Sequence, residues 1–357
     1  MKKILFILSK YKLGERFLPV VPKLINNYQC DVLKIQRMDE CFKWNGDFDP
    51  RLIFSKLYES YFNNVYNYSL DFKHMDFSRY DAVIIDDCVN KSYWKNLYYM
   101  FKRKGVIVIG NEHGNGDMGR IKNYISKAIG SICDYLLVFG KKELEQCTTS
   151  KNKKYVRLGG IPANDKLKEY SKGNSHILVI VNSIGRKDNN VFPINFDNDF
   201  IRETDLMKLQ SIYSKKILIK LKNRVKRDDY EGDCEYVKSL FPHNANIEIM
   251  LDTYDDNKMI CDSICVVSAP STLAFKSIQK GIPTVCIKGS GQTGSFYDYF
   301  GLLDMYKDNV VNNIFEQFER GRDLEFINGT LEGGVDFNSV NIYIDRIGEI
   351  VGEKERS

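Results

Sequence analysis

Short, nearly continuous apolar runs alternate with longer helical or mixed segments along most of this chain. The first series reads KILFIL (3–8), DVLKI (31–35), YDAVIIDD (80–87), GVIVIG (105–110), DYLLVF (134–139) and YVRLGG (155–160). The pattern pauses over the polar KLKEYSKGNS (166–175). It restarts with HILVIVNS (176–183), KILIKL (216–221), NIEIM (246–250), SICVVS (263–268) and TVCIK (284–288). Runs apolar at consecutive positions belong to parallel strands covered on both faces by helices. Two series of this kind predict an α/β protein of two Rossmann-like domains, residues 1–168 and 169–357. The Tyr-, Phe- and Asp-rich segment 36–79 reads as a helical insertion over the first sheet.

Composition narrows this picture. The chain has 357 residues, 43% hydrophobic and 28% charged, which suits a water-soluble protein with two cores. No apolar run approaches the ~20 residues of a membrane span. The apolar run after Lys2 and Lys3 stops at Ser9, and Lys10 and Lys12 follow. That run is too short for a secretion signal and reads as a first buried strand, Ile4 to Leu8. Nine cysteines without a C-x-x-C pair fit a reducing cytoplasm, not a disulfide scaffold, and offer no metal site. A net charge of +5 is too mild to argue for nucleic acid. It favours anionic substrates and a peripheral contact with the anionic inner face of a membrane.

In open α/β sheets ligands bind beyond the carboxyl ends of the strands, so the chemistry is sought there. SICVVS ends at Ser268, and Ser271 and Thr272 follow at the joint with a helix. One hydroxyl suffices to cap that helix. Three hydroxyls beside exposed N–H groups also suit a phosphate. After GVIVIG comes NEHGNGDMGR (111–120), a glycine-rich turn holding His113, one of only four histidines. Histidine is well tuned for proton transfer near neutral pH, with Glu112 and Asp117 as alternative carboxylates for the same work. Arg186 in NSIGRKD and the cations of IKLKNR, including Lys220 and Lys222, suit an anion clamp or a solvated face. GGIPANDKL (159–167) reads as a turn in which Asn164 or Asp165 caps the next helix.

The order of these motifs resembles the CDP-glycerol glycerophosphotransferase family, which primes and polymerises teichoic-acid-like polymers. SAPSTLAFKSIQKGIP resembles that family's S-D-Y-S-S-v-x-F-D…K-P hallmark, with Ser268, Ser271, Thr272, Phe275 and Pro283 in register. EHGNG resembles its W-H-G-T-P turn, which brings His113 and Gly114 into the place of its catalytic histidine motif. GIPANDKL is similar to G-Y-P-R-N-D-x-L, and SIGRKD to P-T-W-R-D. The chain departs from the family at Lys222, where a second histidine is usual, and at Ala269, Pro270 and Glu112.

The resemblance implies a GT-B fold, two Rossmann-like domains facing a central cleft. It implies an inverting transferase that moves a sugar or glycerol-phosphate group to a surface-polysaccharide or lipid-linked glycan acceptor. The donor is a substrate, either a nucleotide sugar or CDP-glycerol, and no cofactor is expected. Ser268, Ser271, Thr272, Arg186, Lys220, Lys222 and Gly114 would serve the donor, and His113 would be the base. Two alternatives stay open: a UDP-sugar 2-epimerase-like enzyme, and a non-catalytic glycan- or nucleotide-binding protein of the same fold.

Overall fold

The computed structural model describes residues 1–8, 17–35, 59–86, 92–112, 128–149, 151–181, 203–221, 227–241, 246–250, 255–268, 271–286 and 310–353. They form two compact units, each built on its own sheet. Unit 1 takes the described residues of 1–114, 120–165 and 328–357, and unit 2 those of 166–327.

Unit 1 carries a seven-stranded sheet in the order β3-β2-β1-β4-β5-β6-β7. Its strands are β1 (Lys2–Leu8), β2 (Tyr28–Lys34), β3 (Asn64–Asn67), β4 (Ala82–Ile85), β5 (Ile107–Asn111), β6 (Tyr135–Val138) and β7 (Val156–Leu158). Every pairing is parallel. Ile4 through Leu8 are fully buried, as the uninterrupted apolar run requires. Helices α1 (Ser92–Arg103) and α2 (Lys141–Cys147) follow β4 and β6.

Unit 2 carries a five-stranded parallel sheet in the order β10-β9-β8-β11-β12. Its strands are β8 (His176–Val181), β9 (Lys216–Leu221), β10 (Ile247–Met250), β11 (Ser263–Ser268) and β12 (Thr284–Cys286). Its helices are α3 (Glu203–Tyr213), α4 (Arg227–Leu240), α5 (Asp256–Cys261), α6 (Thr272–Lys280), α7 (Val310–Arg320) and α8 (Leu324–Thr330), whose last residues pass into unit 1. All six residues of β8 are buried, at the centre of this sheet. Helix α6 ends at Gly281 in the left-handed conformation (φ +74°), a glycine stop that lets Pro283 lead into β12.

Two expectations are corrected. The second domain does not take in the described C-terminal residues, because residues 328–353 belong to unit 1. There, α9 (Ser339–Glu353) buries Val340, Tyr343, Ile347, Ile350 and Val351 in one cluster with Ile4, Phe6 and Phe17. The segment 36–79 is not a wholly helical insertion. Residues 36–58 lie outside the described residues, but Asn64–Asn67 form β3, the edge strand beside β2.

Candidate functional site

The carboxyl edge of each sheet gathers polar side chains. In unit 1, the fully buried Asp86 follows β4, and β5 ends at Asn111 with Glu112 next in the chain, each 5% exposed. The Asn111 amide donates to the Ile85 carbonyl (2.8 Å) and accepts from the Tyr343 hydroxyl (2.8 Å). The backbone N–H of Glu112 donates to Leu137 on β6, so the residue is held at the end of the ladder.

Behind Glu112 lies Glu143, a residue that no motif singled out. It is fully buried at the third position of α2, and its Oε2 accepts from the Phe139 N–H at 2.6 Å. It also accepts from the N–H of Gly140, the helix N-cap, as a capping-box glutamate does. Burial pushes the Glu143 carboxyl well above its ordinary value. The Glu112 charge and a hydrogen bond shared with Glu112 add to the rise, and the two backbone donors oppose it. The sequence signal for this residue is G-x-x-E directly after an apolar run.

In unit 2, Ser268 closes β11 and is fully buried. Ser271 is the N-cap of α6. Its backbone is extended (φ −154°, ψ 143°), and its hydroxyl accepts from the Leu273 N–H at 3.2 Å. The capping role is therefore present at Ser271, with half-buried Thr272 opening the helix beside it. Lys220, 4% exposed near the end of β9, lies 3.5 Å from Asp256 at the start of α5. That carboxylate already offsets part of its charge. His113, Gly114, Asp117, Arg186 and Lys222 lie outside the described residues. Among the described residues, no cluster of three or more His, Cys, Asp or Glu side chains could hold a metal ion.

The GIPANDKL turn does different work from the expected capping of the next helix. Asp165 accepts from the Ser339 N–H (3.1 Å) and the Val340 N–H (2.7 Å), so it holds the N-terminus of α9, 174 residues away. This motif therefore anchors the C-terminal helix within unit 1.

Comparison with known proteins gives a family and a fold. Residues 114–301 match a family described as "putative O-antigen biosynthesis protein". No curated protein matches the sequence significantly. Among solved structures, the chain is similar to a "putative UDP-N-acetylglucosamine 2-epimerase" from Listeria monocytogenes, with a TM-score of 0.63 and 12% identity over 100% of this chain and 98% of that one. It is also similar to Anabaena Alr3699/HepE in complex with UDP and glucose, with a TM-score of 0.57 and 9% identity over 99% of this chain and 100% of that one. The wall teichoic acid polymerase TagF aligns with a TM-score of 0.57 and 13% identity, over 99% of this chain and 90% of that one. At such identities the likeness is one of fold, and that fold is GT-B. The matched family is an O-antigen one, and the teichoic-acid resemblance extends to the fold.

Proposed function

The chain belongs to this O-antigen biosynthesis family, whose match spans residues 114–301 of 357. From that premise we propose that it transfers a sugar or glycerol-phosphate group from a nucleotide-activated donor to a glycan or lipid-linked acceptor. The observation that carries this reading is the Ser271-capped start of α6 at the carboxyl end of β11. A helix N-terminus there suits the phosphates of a nucleotide. The structures of Alr3699/HepE with UDP-glucose and of TagF H444N with CDPG support a nucleotide-linked donor for this fold.

In the proposed reaction, unit 2 holds the donor phosphates through Thr272, the first N–H groups of α6 and the cations Arg186 and Lys222. Ser268, fully buried, backs this turn from within the sheet. Negative charge grows on the leaving phosphate in the transition state, and fixed N–H groups and cations stabilise it there more than in the ground state. His113 takes the acceptor hydroxyl proton, a step worth about 10²–10⁴-fold in rate. A single displacement of this kind inverts the configuration at the attacked centre. The proposed setting is cytoplasmic, with the acceptor presented at the inner face of a membrane.

A thermal-shift screen over CDP-glycerol and UDP-, GDP-, CMP- and dTDP-sugars tests the donor. A true donor at 100 times its Kd adds about 2.7 kcal/mol of stability. His113→Asn should then lower turnover about 100-fold or more with donor affinity kept. Near-normal turnover in that variant would move the base to Glu112 or Asp117. The epimerase reading draws on the Listeria likeness. It predicts conversion of the donor alone, whereas the transferase requires an acceptor.

A further inference from the structure

Glu112, next after β5, and Glu143, in the first turn of α2, are both buried, 5% and 0% exposed, and a hydrogen bond joins their side chains. Glu143 Oε2 accepts from the Phe139 N–H, and the carboxyl also takes a backbone bond from Gly140. Glu143 Oε1 is buried with no N–H or O–H donor among the described residues. An ionised carboxyl oxygen in that position would lose its water and gain nothing in return. A proton held between the two carboxyls supplies the missing donor, and the hydrogen bond joins Glu143 to Glu112. Two carboxyls so close cannot both ionise without strong repulsion, so they titrate as one unit.

We propose that Glu143 is a positioning residue for Glu112, the two carboxyls sharing one proton and forming a single acid–base unit at the end of β5. The rigidity comes from the local structure. Glu143 is fixed by the first turn of α2, and Glu112 by its backbone bond to β6. Residues 330–332 close the corner: the Glu332 N–H donates to the Phe139 carbonyl, and buried Thr330 packs its backbone against Gly140. Asn111, between Asp86 and Glu112, is locked by Ile85 and Tyr343. The pair therefore presents one net negative charge in a fixed place, and it can accept or return a proton without rearranging. This inference rests on the transferase reading only for its catalytic use; the shared proton stands on the geometry.

The test uses full-length protein carrying ¹³C-carboxyl glutamate, with NMR titration from about pH 4 to about pH 9. Wild type should show two separated steps for the pair, the later one above the ordinary carboxylate range. Glu143→Gln keeps the shape and an oxygen for the Phe139 N–H, and its amide donates to Glu112. In that variant the pair's two-step titration should collapse to a single step, that of Glu112 alone. Glu112→Gln should leave a single step as well, which guards against misfolding of either single variant. A wild type without a late step, or a two-step titration that persists in folded Glu143→Gln, overturns the proposal. With a donor in hand, the pH profile of kcat should shift in Glu143→Gln while the donor KM is kept. If no donor is turned over, the proposed reaction fails, and the NMR titration still decides the pair.

Discussion

Gly160 sits at φ +66°, and a Cβ there would lie 2.4 Å from the Glu332 carbonyl oxygen and 2.7 Å from Ser339 Oγ. Neither the left-handed backbone nor the close approach tolerates a side chain. Gly160→Ala should therefore destabilise unit 1 by about 1–3 kcal/mol or more, read as a lower urea midpoint with the slope unchanged. Asp165, five residues on, accepts two N–H groups at the positive end of α9. Asp165→Ala leaves both donors buried without that partner and should lower stability by about 1–3 kcal/mol. Both residues were visible as a turn motif, but their partners were not. Nothing local in GIPANDKL tells that its carboxylate serves a helix 174 residues away. Glu143 was legible in principle from G-x-x-E after an apolar run, whereas its pairing with Glu112 depends on how α2 docks.

At the scale of elements, the strands were the legible part, because buried parallel strands write themselves as continuous apolar runs. The edges were less so. Among the described residues, strand β12 is the outer strand of the second sheet, and its edge is covered from α7. The Gln317 side chain imitates a neighbouring strand: its amide nitrogen donates to the Thr284 carbonyl at 2.6 Å, and its oxygen accepts from the Thr284 N–H. Such a cover protects an edge from pairing with other chains. Gln317→Ala should cost about 1–3 kcal/mol and raise the tendency to aggregate, measured by thermal denaturation with light scattering. Likewise, β3 escaped the sequence reading because NVYN is short and only half-buried, with no apolar run to announce it.

At the scale of the molecule, two buried groups set opposite limits on stability with pH. Burial lowers the His176 imidazole below its usual 6.5. Its contribution is complete above that value and is lost as pH falls through the folded value, where the buried ring must charge. Glu143 is shifted the other way, mainly by burial. Its contribution is complete below the ordinary carboxylate range and is lost as pH rises through the folded value. Melting temperature plotted against pH should thus fall on both sides. His176→Gln should flatten the acid side, and Glu143→Gln the alkaline side; an unchanged slope in either variant contradicts the corresponding assignment. The GT-B fold was legible from two strand series and four motifs in order, while the return of α9 to unit 1 was not, since it depends on long-range packing with Ile4, Phe6 and Phe17.

The start of α6 is the proposed seat of a nucleotide-activated donor. Titration calorimetry of CDP-glycerol and of UDP-, GDP-, CMP- and dTDP-sugars into wild type and into the Ser271→Ala/Thr272→Ala double variant tests it most directly. Losing the Ser271 cap alone should lower stability by about 1 kcal/mol, leaving a folded protein to measure. One donor should bind wild type and lose about tenfold or more in affinity in the double variant, about 1.4 kcal/mol. Unchanged affinity in the folded variant, or wild type that binds none of these donors, would contradict the account.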